Sequence, residues 1–494
     1  MSKVTFLTVC LSLVFGWQLN AIATQVTAST AELSTFKARM NEAFSGDIDQ
    51  LRQRRIIRVL VSYNRTHFFM GDEGMLGLEY ELLKAYEHYL NRGPLREQYK
   101  THLVFIVSPF QDLIDQLNAG YGDIIAAGLT ITPGRESQLS FTQPYLSNIN
   151  EILISHNRAP HIQRLEDLAG QRVIVVSNSS YIVHLEMINQ ALGLLGLPPI
   201  EIIKANPLLE AEDLLEMINA RIYDFTVVDA HIAKVWQNIY QDLVLNEHIV
   251  LHHNGKIAWG VRKQNPKLLA SLNQFIQQNA RPGQLLSNLL FRKYFENTTW
   301  IARPLTPELL LQVDYLKPYF QLYGDFYDLD WLTLAALAYQ ESHFKHQRIS
   351  PKGAVGIMQI LPSTAEAMDI GDINDLEHNI HAGTKYLRHL QDTYFNSLDY
   401  SAQERINFSL AAYNAGPHRI RQLQRQAQAR GLNPHKWFYH VEQIAREQIG
   451  QETVNYVIGI LKHRVALEAA QKVELERHLA RPVFTLPQAD IPKR

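Results

Sequence analysis

"DLIDQLNAGYGDIIAAGLTIT", residues 112–132, runs from helical spacing through a glycine-rich break into a short apolar strand. The same alternation spreads outward from it. "IIRVLVSYN" (56–64) is an apolar, β-rich run, "LEYELLKAYEHYL" (78–90) has helical spacing, and "QRVIVVS" (171–177) and "DFTVVDA" (224–230) supply further strands. Strands alternating with helices predict an α/β architecture with largely parallel sheets, which bind ligands beyond their strand ends.

The chain has 494 residues, too many for one core, so two or three domains are expected. Its 47 basic and 49 acidic side chains nearly cancel, which gives no reason to expect a nucleic-acid partner or a strongly charged membrane surface. At the N-terminus Lys3 precedes the apolar run Val4 to Trp17, and Ala21-Ile22-Ala23 offers a small-x-small cleavage site. This pattern predicts a secretory signal peptide over residues 1–23, its apolar run shorter than the ~20 residues of a membrane span. The only cysteine, Cys10, lies inside it, so the mature chain can form no intrachain disulfide. Bulky Val9 argues against lipid attachment at Cys10, and the expected compartment is a bacterial periplasm. Residues 24–54 form a polar lead segment.

The second half changes character after "RPLTPELL" (303–310), whose two prolines and candidate helix cap Thr306 suit a domain junction. Beyond it the periodicity is helical. In "DWLTLAALAYQESHF" (330–344), Leu337, Ala338 and Glu341 lie three, four and seven residues beyond Leu334, so Glu341 falls on the apolar stripe. Desolvation there would raise its pKa, as a general acid working near neutrality requires; position alone fits equally a glutamate at a fraying helix end. "SPKGAVGIMQ" (350–359) places Gly353 and Gly356 where the backbone must turn or let a substrate approach, and Ser363 to Glu366 fit a capping box for the next helix. From residue 339 to 365 Glu341 is the only acid, although glycoside chemistry usually divides its work between two. "NIHAGTKYL" (379–387), "AAYNAGP" (411–417) and "ETVNYVIGI" (452–460) add Tyr and Asn groups suited to sugar hydroxyls and acetamides. His343 and His346 have helical spacing but no third ligand, so no metal is expected.

Two resemblances rest on the order of these motifs. "GLEYELLKAY", "GDIIAAGLTITPGRESQLSFTQPYL", "LEDLAGQRVIVVSNSSY", "ARIYDFTVVD" and "IAWGVRKQNPKLLASLNQFI", spanning about residues 55–290, resemble the family-3 solute-binding proteins of bacterial amino-acid uptake. That implies two lobes joined by crossover strands near 146–152 and 240–258, with Thr130, Arg135 and Asp229 as ligand contacts. A guanidinium can grip an α-carboxylate and a carboxylate an α-ammonium; from the residues alone both remain readable as surface charges. Glu-Ser, Gly-Ile-Met-Gln, Ala-Tyr-Asn-Ala-Gly and Glu-Thr-x-x-Tyr-Val, over about residues 312–470, resemble the family-1 lytic transglycosylases, with Ile357 where that family usually has Leu.

The second resemblance implies a mainly α, lysozyme-like domain acting on peptidoglycan glycan strands without a cofactor. It implies Glu341 as acid and base with Ser342 beside it, Met358 and Gln359 lining the cleft, Tyr413 and Asn414 beside the scissile sugar, and Tyr456 bonding the glutamate. The expected organisation is a two-lobed domain to 290, a linker over 291–311, the helical domain over 312–470 and a loose tail over 471–494. Peripheral attachment to the outer membrane and an amino-acid or muropeptide effector for the first module are implied as well. One acid can suffice where the muramic acid C6 hydroxyl closes onto C1 to give a 1,6-anhydro product. Two alternatives stay open: a goose-type-lysozyme-like hydrolase in which Asp328, Asp330 or Asp369 helps deliver water, and a binder without catalysis.

Overall fold

The computed structural model describes residue 39 and residues 42–71, 74–93, 96, 99–281, 283–296 and 307–479. The signal-peptide stretch with Cys10, the cap at Thr306 and residues 480–494 lie outside the described residues.

The first lobe is built from β1 (Ile56–Val61), the short pair β2 (Phe69–Gly71) and β3 (Gly74–Leu76), β4 (His102–Val107), β5 (Ile124–Ile125) and β6 (Ser140–Phe141). The second contains β7 (Leu146–His156), β8 (Arg172–Val175), β9 (Glu201–Lys204), β10 (Phe225–Asp229) and β11 (Leu243–Ile257), after which β12 (Gly260–Val261) returns to the first. The two main sheets have the orders β4-β1-β5-β12-β6 and β11-β7-β10-β8-β9. In the first sheet β1 pairs in parallel with β4 and β5, and all of its residues are buried. A parallel strand covered on both faces shows such a continuous apolar run instead of alternation.

Arg58 is the exception inside that run, and it is fully compensated. Its guanidinium meets Asp123 at 3.1 Å and donates to the carbonyls of Glu42, Phe44 and Gly120, while Arg262 reaches the same carboxylate at 2.9 Å. A buried charge with every donor satisfied is tolerated where an unpaired one would cost several kcal/mol. The long strands β7 and β11 run antiparallel with several register shifts and join the lobes, as the first resemblance implied.

Helix Leu285–Phe291 continues into the turn Arg292–Glu296, which stays on the first lobe: Lys293 Nζ lies 2.6 Å from Glu81, Tyr294 also bonds that carboxylate, and Tyr294 and Phe295 are buried. The first described helix of the helical half is Pro307–Tyr327. Its last helix, Glu452–Leu479, passes the expected end at 470 because Ala466 and Leu467 are buried and Lys317 bonds Gln471 at 2.7 Å.

At the centre of the helical half is helix Trp331–Ser342, capped by Asp330, whose side chain accepts from Leu332 N. Thr333 to Tyr339 are buried on every face, as expected for a helix enclosed by others. It packs against Pro307–Tyr327 and Glu452–Leu479. The latter also reaches the other module. Lys462 Nζ lies 3.1 Å from Tyr63 O in the first lobe and 2.7 Å from Asp213 in the second. Tyr439 OH bonds Asp112 of the first lobe at 2.6 Å.

Candidate active site

Glu341 occupies the last turn of its enclosed helix, which ends as His343 turns left-handed at φ 54°. Its pKa is pushed up to about 7, above all by burial; the Tyr456 hydroxyl bonded to Oε1 and the Arg348 guanidinium pull the other way. The partial negative charge of a helix C-terminus also disfavours the anion there. No carboxylate is among the groups that move this pKa. Asp330 sits at the opposite end of the same helix, bonded to Thr333 and Arg464, and the Asp328 side chain is exposed beside Arg388.

A shelf of loop residues faces the glutamate and is fastened from behind. Asn379, fully buried on helix Leu376–Tyr394, accepts from Met358 N at 2.9 Å and donates to Val355 O and Ile373 O, each at 2.9 Å. Gly356 makes this possible. Its φ is +84°, and a Cβ there would stand 2.2 Å from Asn379 Nδ2. Gly383 on the same helix leaves room for Met358, whose Cβ would otherwise meet a new Cβ at 2.7 Å. Arg348 closes the shelf by donating to Glu341 O at 2.9 Å, and Gln359 donates to Arg348 O at 3.0 Å and Gly356 O at 2.8 Å.

The structure gathers the expected residues around Glu341 but gives some of them other contacts. Ser342 is 1% exposed, and its hydroxyl bonds Ala338 O and Ile357 O, so it pins shelf to helix beside Glu341 and is closed to substrate. The Met358 side chain is buried too, leaving its carbonyl as the acceptor for Tyr413 OH at 2.8 Å. Asn414 is exposed, and its Oδ1 accepts from Thr453 at 2.8 Å, which orients the amide. The capping box expected at Ser363 is absent: helix Pro362–Ala367 starts at a proline after Leu361, with no side-chain cap. Sequence reasoning missed Arg348, Asn379 and Thr453. Arg348 lies within residues 339–365 around Glu341 and Asn379 opens a quoted motif, but their partners are backbone atoms brought near only by folding.

In the other module Thr130, Arg135 and Asp229 line one cavity of about 50 Å³. Arg135 donates to Thr130 O at 2.8 Å and across the cleft to Asn178 O at 2.9 Å. Asp229 is 4% exposed with Oδ1 unpartnered, and burial followed by repulsion from Glu151 pushes its pKa up to about 8. Glu151, another residue missed in the sequence, is buried against Ser180 at 2.6 Å and His184 at 2.5 Å. Thr66 and Arg65 of the first lobe bond Glu212 and Glu216 of the second at 2.5 Å and 3.1 Å, so the lobes are drawn together. Among the described residues, no cluster of side chains suits a metal ion, and no helix is long and apolar enough to cross a membrane.

Comparison with known proteins finds a similar family for part of each half. Residues 57–297 match the bacterial extracellular solute-binding proteins, family 3, and residues 318–435 match the transglycosylase SLT domain. A relative from Desulfosudis oleivorans, named membrane-bound lytic murein transglycosylase F, is 28% identical over 441 residues, covering 86% of this chain and 92% of its own. A relative of the same name from Shewanella pealeana is 29% identical over 389 residues, covering 76% of this chain and 74% of its own. Among solved structures, an ancestral arginine-binding protein bound to arginine covers 49% of this chain and 98% of its own at 22% identity, with a TM-score of 0.40.

Proposed function

We propose that this protein is a peptidoglycan lytic transglycosylase with Glu341 as its single acid and base. The observation that carries the reading is the isolation of Glu341: a desolvated carboxyl with a pKa of about 7, tethered by Tyr456, with no carboxylate acting on it. Protonated Glu341 gives its proton to the glycosidic oxygen as the bond from muramic acid C1 to that oxygen breaks. The resulting carboxylate then takes the proton of the C6 hydroxyl as that oxygen bonds C1, closing a 1,6-anhydro ring without water. Asn414, steadied by Thr453, is placed to hold the acetamide, and Tyr413 and Gln359 shape the sugar shelf. A carboxyl poised near neutrality can fill both roles in turn. Mass spectrometry of sacculi digested by the mature protein tests this. Fragments ending in 1,6-anhydromuramic acid are expected, and reducing ends heavier by one water would make the protein a hydrolase.

The chain works in the periplasm, attached peripherally to the outer membrane. Supporting this are the signal-like residues 1–23 and the membrane-bound name of the relatives. The first module senses amino-acid-bearing wall fragments, with Arg135 for a carboxylate and Asp229 for an ammonium. Lys462 supports a link between the halves, since it touches both lobes from the helix that carries Tyr456. A typical coupling of about 1–3 kcal/mol would change activity ~5- to 150-fold. Titrating muropeptides while following sacculus cleavage tests it, and measurable binding with flat activity would reduce the module to a tether.

A further inference from the structure

Three titratable side chains stand in a row across the second sheet, behind the cavity lined by Thr130, Arg135 and Asp229. Strand β7 pairs on one side with β10 and on the other with β11, and in that register Glu151 lies opposite both Asp229 and His252. Residues opposite one another on neighbouring strands share a face, with Cβ atoms about 4.5–5.5 Å apart. Glu151 is buried, and helix Ser180–Leu194 covers it: Ser180 donates to Oε1 at 2.6 Å, and His184 Nδ1 lies 2.5 Å from Oε2. The His184 ring stacks on that of His252, with centroids 4.2 Å apart and planes 7° from parallel. Burial, then His184 and His253, push His252 below the usual imidazole range against the pull of Glu151, so His252 holds no competing proton at neutrality. Two further groups face the row. Tyr181, which burial pushes well above its usual range, and Arg135, lowered by burial to about 10, keep their charge states near neutrality.

The cation nearest Asp229 is engaged elsewhere. Arg135 donates to Thr130 O and Asn178 O, Tyr181 OH accepts from Asp229 N, and Asp229 Oδ1 is left unpartnered. Two carboxyls facing one another in a buried sheet do not both ionise without a counter-charge, and Glu151, which has hydrogen-bond donors, keeps the charge. Asp229 therefore holds its proton, and a protonated carboxyl does not pair with an ammonium. We propose that the row is a proton relay for ligand binding: as a cationic ligand pairs with Asp229, that carboxyl loses its proton and His184 gains one, so Glu151 faces an imidazolium when Asp229 becomes an anion. The inference rests on the sensor reading of the first module. His184 Nδ1, bonded to an ionised carboxylate that can only accept, carries a hydrogen already, which leaves Nε2 to take the proton. One proton is lost and one gained, so binding exchanges none with the solvent.

The test uses the full mature chain and a purified soluble muropeptide that carries a free ammonium. Calorimetry in buffers of different ionisation enthalpy counts the protons exchanged on binding. The wild type should exchange close to none, and its affinity should vary by less than ~threefold between pH 6.5 and 8. His184→Gln can still bond Glu151 but cannot become charged. It should release one proton per ligand, and its affinity should fall about tenfold for each pH unit below 8. Glu151→Gln removes the repulsion that follows burial in raising Asp229, so the double variant should release clearly less than one proton, a rescue that a merely structural role for His184 would not produce. One proton released by the wild type, a His184→Gln protein that matches the wild type, or a double variant that releases as much as His184→Gln overturns the relay and leaves the sensor standing. No binding at any pH overturns the sensor reading and the relay with it.

Discussion

Each half of the molecule centres on a carboxyl that burial pushes upward, Glu341 to about 7 and Asp229 to about 8. Their surroundings diverge. Glu341 is half-buried beside a cavity of about 370 Å³ and is held by a hydroxyl, whereas Asp229 faces about 50 Å³ with one oxygen unpartnered. The first geometry suits proton exchange with a polymer entering from outside; the second suits a cationic ligand enclosed between lobes. Glu442 and Glu210 reach about 7 and about 8 by burial too, Glu442 beside Arg446 and Glu210 in the wall of the cavity that holds Asp229. A raised pKa therefore marks desolvation, and access with orientation makes an acid of it.

The largest effect that could break this comparison is in the helical half. Glu341→Gln keeps the shape and loses the proton, so anhydro-end release should fall by ~10²–10⁴-fold or more with the circular dichroism spectrum unchanged. Activity within a few-fold of the parent would move the acid elsewhere. Next comes the shelf: Gly356→Ala forces a side chain into a left-handed position against Asn379, and thermal unfolding should show a loss of about 3 kcal/mol together with reduced cleavage.

The third change exchanges one half for the other. Because the Asp229 carboxyl keeps its proton in the folded chain to about pH 8 and loses it near pH 4 when unfolded, stability from this group falls as pH rises across that window. Asp229→Asn should escape the fall, gaining up to about 5 kcal/mol near pH 8 and much less at pH 4, while weakening the binding of ammonium-bearing ligands in calorimetry. A stability gap independent of pH would show that Asp229 is ionised in the folded protein. Smallest is Tyr456→Phe. Its hydroxyl lowers the Glu341 pKa, so removing it should move the alkaline limb of the pH–rate profile, expected near pH 7, upward. A limb that moves down or stays would separate the profile from Glu341.

Much of this was legible in the residues. The unbroken apolar run of β1 announced a parallel strand, and the stripe through Leu334, Leu337 and Ala338 placed Glu341 on a buried helix face. Such features are local, set by spacing and backbone sterics within a few residues, and sequence carries them directly. Other assignments needed the fold. Ser342 looks like a cleft residue until Ile357 O, brought to it by the turn of the shelf, takes its hydroxyl. Asn379 reads as an ordinary helix residue until Gly356 approaches it, and Lys293 and Gln471 are tied down by Glu81 and Lys317, far away in the chain. Arg65 and Asn455 have nothing in common in sequence and line one cavity only because Lys462 holds the helical half against both lobes. Sequence thus determined the two folds and the place of Glu341 on a buried helix face, since these follow from local pattern. Which groups bond, which remain unpartnered and where the halves meet were decided by tertiary structure, because hydrogen bonding and desolvation depend on separation in space and not along the chain.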